Sequence, residues 1–146
     1  MSFLNSLNIA GSGLTASRLR MDIISENIAN YSTTRTQDGG PYRRKMVVYE
    51  SLKGDSFSSI LKNKLSGDKP TAGVQVSKIV EDDSDFNYVY NPTHPDADQN
   101  GYVAMPNVDV TQEMLDMMSV TRVYDMNINA LNSIKNMASK ALEIGR

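Results

Sequence analysis

The segment Asp96-Ala97-Asp98-Gln99-Asn100-Gly101 puts an oxygen-bearing side chain at every second position and ends in glycine. That is the first half of an EF-hand loop, where alternate residues turn carboxylates and amides onto one calcium ion and glycine makes the sharp bend. Val103 supplies the apolar residue of position eight. The second half departs from the pattern: Asn107 stands where the bidentate glutamate belongs, and Pro106 where the exiting helix should have begun. Asn91-Pro92 and His94-Pro95 forbid an entering helix, because a residue before proline is held out of the α region. The expectation is a turn in which Asp, Asn and Gly satisfy their own backbone groups, with no metal and no cofactor.

The other candidates for chemistry read the same way. His94 is the only histidine, so a His-rich metal site is impossible. Flanked by prolines, it reads as a loop or packing residue and not as a general base. Glu81-Asp82-Asp83 and Asp85 cluster carboxylates at a strand end, which suits a solvated turn. Arg43-Arg44-Lys45 runs into Met46-Val47-Val48-Tyr49 and reads as a solvated strand edge, with anion binding as the sharper alternative. No nucleophile elbow, phosphate-binding loop or zinc motif is present, and no enzymatic activity is expected. The absence of cysteine excludes disulfides, thiolate metal sites and cysteine nucleophiles. A net charge of −2 without a long run of one sign excludes nucleic acid as the main partner. The expectation also includes no cleavable signal peptide and no membrane span, since polar residues such as Asn5, Asn8 and Ser12 interrupt the first apolar stretch.

Three zones position these residues. From about Ser2 to Asn30, Leu7, Ala10, Leu14, Met21, Ile24 and Ile28, then Tyr31, follow the alternating three-and-four spacing of a helix–helix seam, with Ser17 in the one gap. Gly11 and Gly13 weaken that helix, each costing roughly 1 kcal/mol against alanine. The middle zone has strand-like runs at Arg43–Glu50, Gly73–Val80, Asn87–Tyr90 and Gly101–Ala104, with an end or bulge possible near Ser77. Residues 51–65 suit a short helix or an ordered loop equally. From Asp109 to Gly145 a second helix is expected, with Asp109 as N-cap and Gln112 in capping-box position. Its stripe is Val110, Met114, Met117, Thr121, Tyr124, Ile128, Leu131 and Ile134, continued by Ala138 and Ala141. The predicted class is α+β: long terminal helices packed as a coiled-coil-like pair around a small β-rich module. The boundaries are 1–34 for the first helix, 35–108 for the module and 109–146 for the second helix. Each helix offers a narrow seam and the module little surface to bury it, so the helices are expected to pair with each other and with other chains.

These residues also carry a resemblance. Ser12-Gly13-Leu14-Thr15-Ala16, Arg18-Leu19-Arg20-Met21-Asp22 and Asn27-Ile28-Ala29-Asn30 resemble the start of bacterial flagellar axial proteins. The stretch from Asn91 through Pro92, His94, Pro95 and Asp96, then Gly101, Tyr102, Pro106 and Asn107, is similar to the FlgC branch of the basal-body rod proteins in particular. Glu113-Met114, Asp116-Met117 and Arg122-Val123-Tyr124 with Asn127 fit the same branch. The resemblance implies a structural subunit exported through the flagellar type III apparatus. Such a subunit would assemble helically, with other copies and other rod proteins, into the proximal rod that crosses the periplasm and transmits torque. Its assembly interface would use Leu7, Leu14, Met21, Ile24 and Ile28 with Asn27 and Asn30, and on the second helix Val110, Met114, Met117, Met118, Tyr124, Asn127, Ile128, Leu131 and Ile134. Five of nine methionines lie on that helix; core packing and adaptable contacts with neighbours both explain them. Asn127, Asn129, Asn132 and Asn136 suit inter-chain hydrogen bonds or solvation equally. A calcium-dependent binding module and a helical scaffold unrelated to flagella are the alternative functions.

Overall fold

The computed structural model describes residues 3–37, 39–52 and 73–144. Helix α1 (Phe3–Ala29) leads, four strands follow as β1 (Lys45–Ser51), β2 (Val74–Glu81), β3 (Asn87–Tyr90) and β4 (Tyr102–Met105), and helix α2 (Val110–Ile144) closes the chain. The class is α+β as read from the sequence, with helices of 27 and 35 residues bracketing two two-stranded sheets. Most of residues 51–65, Ser2 and Gly145 lie outside the described residues. Strand β2 runs through Ser77 without ending there.

Local chemistry explains the element ends. The Asp109 carboxylate accepts the Thr111 N–H at 2.8 Å and the Gln112 N–H at 3.3 Å, the N-cap geometry that satisfies two otherwise orphaned donors. At the other end of α1, Asn30 donates through Nδ2 to the Glu26 carbonyl and accepts the Thr33 hydroxyl. Helix α1 continues through both glycines. Gly13 has a packing reason: a Cβ there would lie 3.1–3.3 Å from the Asn127 amide.

The chain forms two compact units, one from residues 1–18, 49–77 and 122–146 and the other from 19–48 and 78–121. In the first, Ala10 and Ala16 are the only buried hydrophobic residues among those described, with Ser17 beside them. Ser12 ties this unit together, donating to the Ile9 carbonyl at 2.8 Å and accepting the Val74 N–H at 3.1 Å. The second unit has the fuller core: Ile23, Ile24, Tyr42, Val103, Val108 and Val120. There the α1–α2 contacts run antiparallel, from Asn27 against Glu113 to Met21 against Thr121. Strands β3 and β4 pair antiparallel in the register Asn87–Met105 to Tyr90–Tyr102.

The buried face of α2 is offset from the stripe read in the sequence. Glu113 and Val120 are its buried residues, whereas Met114 and Thr121, both assigned to the seam, are exposed. Apolar periodicity cannot register a glutamate, so the apolar stripe and the face buried within the chain differ by one residue at Glu113 and Val120. Beyond Val120, none of the described side chains of α2 is fully buried.

Candidate functional site

The second unit is centred on a knot of buried polar groups. Asn27 and Glu113 are each 1% exposed, an unusual burial for an amide and a carboxylate that demands full hydrogen bonding. Asn27 meets the demand with four bonds. Its Oδ1 accepts the Tyr42 hydroxyl and the Lys45 N–H, both at 2.9 Å, and its Nδ2 donates to the Lys45 carbonyl at 2.9 Å and to Glu113 Oε2 at 3.1 Å. The other Glu113 oxygen receives Arg44 Nε at 2.6 Å, a charge-assisted bond. One asparagine thus bridges α1, the start of β1 and α2.

Arg44 spreads its charge further, with Nη1 3.8 Å from Asp82 and Nη2 3.5 Å from Asp116. Lys45 pairs with Glu26, and the Arg43 guanidinium stacks 4.4 Å above the Phe86 ring. The basic run is therefore not the solvated strand edge expected from the sequence. Three consecutive side chains leading into β1 carry their cations to different partners. In the open groove beside it, lined by Thr36, Gly40, Arg43, Lys45 and Glu81 among others, the two described cations are already engaged, Lys45 with Glu26 and Arg43 with the Phe86 ring and the Asp82 carbonyl. Asp82 sits below the usual carboxylate range because the Ser84 backbone N–H, then its hydroxyl, then Arg44 and Arg43 favour the ionised form.

Tyr42 responds in the opposite direction. Burial, then the carboxylates of Glu26, Glu113 and Glu81, push its phenol from 10.0 up to about 12. As pH rises through that window the unfolded chain releases this proton while the folded chain holds it, so stability is expected to fall there. Tyr42→Phe loses the hydroxyl bond to Asn27, about 1 kcal/mol, at lower pH, and with it this alkaline component. Urea midpoints measured against pH should therefore fall more steeply for the unaltered chain than for Tyr42→Phe. Parallel curves would exclude the effect.

The loop between β3 and β4 is a closed turn. The Asp98 carboxylate accepts the Asn100 N–H at 2.8 Å and the Tyr102 N–H at 2.9 Å, and Asp96 accepts the Thr34 hydroxyl at 2.8 Å. His94 Nδ1 accepts the Asp96 N–H, which makes it a turn residue. Gly101 has φ +81° and is buried, and a Cβ there would come within 2.9 Å of the Tyr90 ring and 3.2 Å of Pro92. Pro95 is exposed. Pro106 is fully buried, and Asn107 binds across three segments: its Oδ1 accepts the Arg44 N–H at 2.8 Å and its Nδ2 reaches the Asp82 carbonyl and Ser84. The residues that carried the sequence resemblance here thus have structural tasks within one chain.

The seam residues divide by exposure. Ile24 and Asn27 are buried in the chain itself. Leu7, Leu14, Met21, Ile28, Asn30, Val110, Met117, Tyr124, Asn127, Ile128, Leu131 and Ile134 are half-buried. Met114 and Met118 are exposed, the latter by 61%. Leu115 is exposed beside them, and Met126 and Met137 are exposed further along α2. Sequence reasoning missed Glu113, Tyr42 and Arg44 as a group. A glutamate interrupting the apolar stripe three residues after a helix N-terminus was the signal available.

No helix among the described residues is long and apolar enough to cross a membrane. Two family models match, "Flagella basal body rod protein" over residues 7–36 and "Flagellar basal body rod FlgEFG protein C-terminal" over residues 99–144. The chain is 54% identical to the flagellar basal-body rod protein FlgC of Bacillus subtilis, with both chains covered in full. It is 43% identical to FlgC of Borreliella burgdorferi over 99% of this chain and 98% of that one. It is 39% identical to FlgC of Salmonella typhimurium over the whole of both. These matches run over α1, the strands and α2, and the chain belongs to the FlgC family of flagellar basal-body rod proteins.

Proposed function

We propose that this chain is a non-enzymatic structural subunit of the flagellar basal-body rod, placed in its proximal part. It is exported through the flagellar type III apparatus and assembles helically with its own copies and other rod proteins. Segments 1–34 and 109–146 form the axial core in this reading, packed as a coiled-coil-like pair, and 35–108 forms the outer module. Membership of the FlgC family over the full length supports the rod assignment. The observation that carries the assembly mode is the under-burial of α2, whose described side chains beyond Val120 include none that is fully buried. A helix of 35 residues gains most of its stability from tertiary packing, so a partner has to supply what this chain does not.

Met114 and Met118 make the test specific, because they are exposed one helical turn apart. In a strain lacking its own copy, the unaltered chain should restore filaments and swimming. Met114→Ser with Met118→Ser should fold normally, since neither side chain is buried, and should fail to restore them. Swimming with that double variant would remove this face from the assembly. Failure of the unaltered chain in a host whose other rod proteins match would remove the rod reading itself.

A further inference from the structure

The turn between β3 and β4 contains the only asparagine of the sequence that is followed by glycine, Asn100. Packing imposes that glycine. At φ +81°, Gly101 lies where a Cβ would come within 2.9 Å of the Tyr90 ring, and the rings of Tyr90 and Tyr102, both exposed, meet edge-on at 5.3 Å. The Asn100 side chain is exposed, and among the described residues its amide has no hydrogen-bond partner. The main-chain donors around it are all engaged. The Asn100 and Tyr102 N–H groups donate to the Asp98 carboxylate at 2.8 and 2.9 Å, and the Gly101 N–H donates to the Asp98 carbonyl at 3.0 Å. The Gly101 carbonyl in turn accepts the Asn91 N–H at 2.9 Å. An unpartnered side-chain amide thus stands next to a glycine nitrogen whose proton is held in a hydrogen bond.

We propose that Asn100 is a site of spontaneous covalent modification, and that the Asp98 turn restrains the reaction while the chain is folded. The Gly101 nitrogen attacks Asn100 Cγ, the bond from Cγ to the amide nitrogen breaks, and ammonia leaves with the proton that the Gly101 nitrogen gave up. Water then opens the cyclic imide at either of its carbonyls, giving aspartate or isoaspartate. Glycine has no Cβ to hinder the attack, which sets Asn100 apart from the other asparagines, all followed by bulkier residues. Three features of the folded turn oppose the first step. The Gly101 nitrogen must lose its proton, and that proton is bound to the Asp98 carbonyl. The Asp98 carboxylate, bonded to the N–H groups on either side, disfavours a second negative charge between them. The same bonds fix the main chain on both sides of Asn100, whereas ring closure requires rotation about its Cα–C bond. Reaction therefore proceeds from the locally opened turn. Isoaspartate routes the main chain through an extra carbon, so the Asp98 bonds that flank it cannot all re-form, and either product adds a carboxylate beside Asp98. A chain that folds promptly keeps its asparagine; one that stays open is marked irreversibly in the turn that joins β3 to β4.

The test is incubation of the full-length chain at mildly alkaline pH in water enriched in heavy oxygen, followed by peptide mapping by mass spectrometry. In concentrated urea the label should enter at Asn100, as a mixture of aspartate and isoaspartate. Without urea the same chain should react at least about tenfold more slowly. Asp98→Ala changes an exposed position and should stay folded by circular dichroism. It should nevertheless react at least about threefold faster than the unaltered folded chain, because the turn opens more often. A chain that takes up no label at Asn100 in urea would overturn the site. Equal rates with and without urea would overturn the restraint by the fold. An Asp98→Ala rate equal to that of the unaltered folded chain would remove Asp98 from it.

Discussion

Replacement of Glu113 by alanine is expected to destabilise the folded chain by about 3–5 kcal/mol, the range for breaking a buried ion pair from one side. The side chain is 1% exposed and serves two donors at once, Arg44 Nε at 2.6 Å and Asn27 Nδ2 at 3.1 Å. Alanine leaves both donors facing a cavity. Arg44 keeps contacts with Asp82 and Asp116, but at 3.8 and 3.5 Å these are long and cannot stand in for the lost bond. The Arg44 side chain is still 23% exposed, so water relieves part of the penalty and the lower end of the range is the better expectation. Glu113→Gln keeps an acceptor for one partner and should cost less than half as much. Urea unfolding with an unchanged slope and a lowered midpoint would register the loss. A Glu113→Ala midpoint within about 0.5 kcal/mol of the unaltered chain would show that the knot contributes nothing to stability.

How much of this was legible in the sequence differs between the elements and the knot. Both helices and β3 were placed within a residue or two, because heptad spacing, an Asp N-cap and a short Asn-Tyr-Val-Tyr run are local signals. The turn at Asp96–Gly101 was readable for the same reason: the Asp98 bonds that close it stay within four residues. The knot was not readable. Asn27, Tyr42, Arg44 and Glu113 lie up to 86 positions apart, and none is apolar enough to mark a core by periodicity. Arg44 was misread for a related reason, since a run of three basic residues looks solvated until its three separate partners are known. The offset of the α2 stripe follows from the same blindness, with the buried Glu113 one position before the exposed Met114. Residues that carried the family resemblance, Asn27, Asn107 and Gly101, proved to be structural cross-links within one chain. Family membership and assembly interface are therefore separate questions at these positions.

Asn27→Asp separates them. The substitution is nearly isosteric and leaves Oδ1 free to accept the Tyr42 hydroxyl and the Lys45 N–H. It replaces the amide donor that faces the Lys45 carbonyl at 2.9 Å and Glu113 Oε2 at 3.1 Å with a second carboxylate oxygen. Two like charges at that distance in a buried site raise the affinity of the pair for a proton. At neutral pH the variant should lose about 2–4 kcal/mol. The deficit should shrink on acidification, because the folded pair takes up a proton at a pH where the unfolded carboxyls are still ionised, and the new O–H restores a donor to Glu113. Asn27→Ala lacks the second carboxylate and should be destabilised without that recovery. Adding Glu113→Gln to Asn27→Asp should relieve most of the deficit, since one amide again stands between the two oxygens. If Asn27→Asp matches the unaltered chain in urea at neutral pH, the Asn27–Glu113 contact does not form in the free chain. The asparagine would then be available to a neighbouring subunit, as the assembly seam read from the sequence had it. If the deficit and its acid recovery both appear, Asn27 fixes α1 to α2 before any neighbour arrives, and the assembly surface must be sought among the exposed methionines and tyrosines instead.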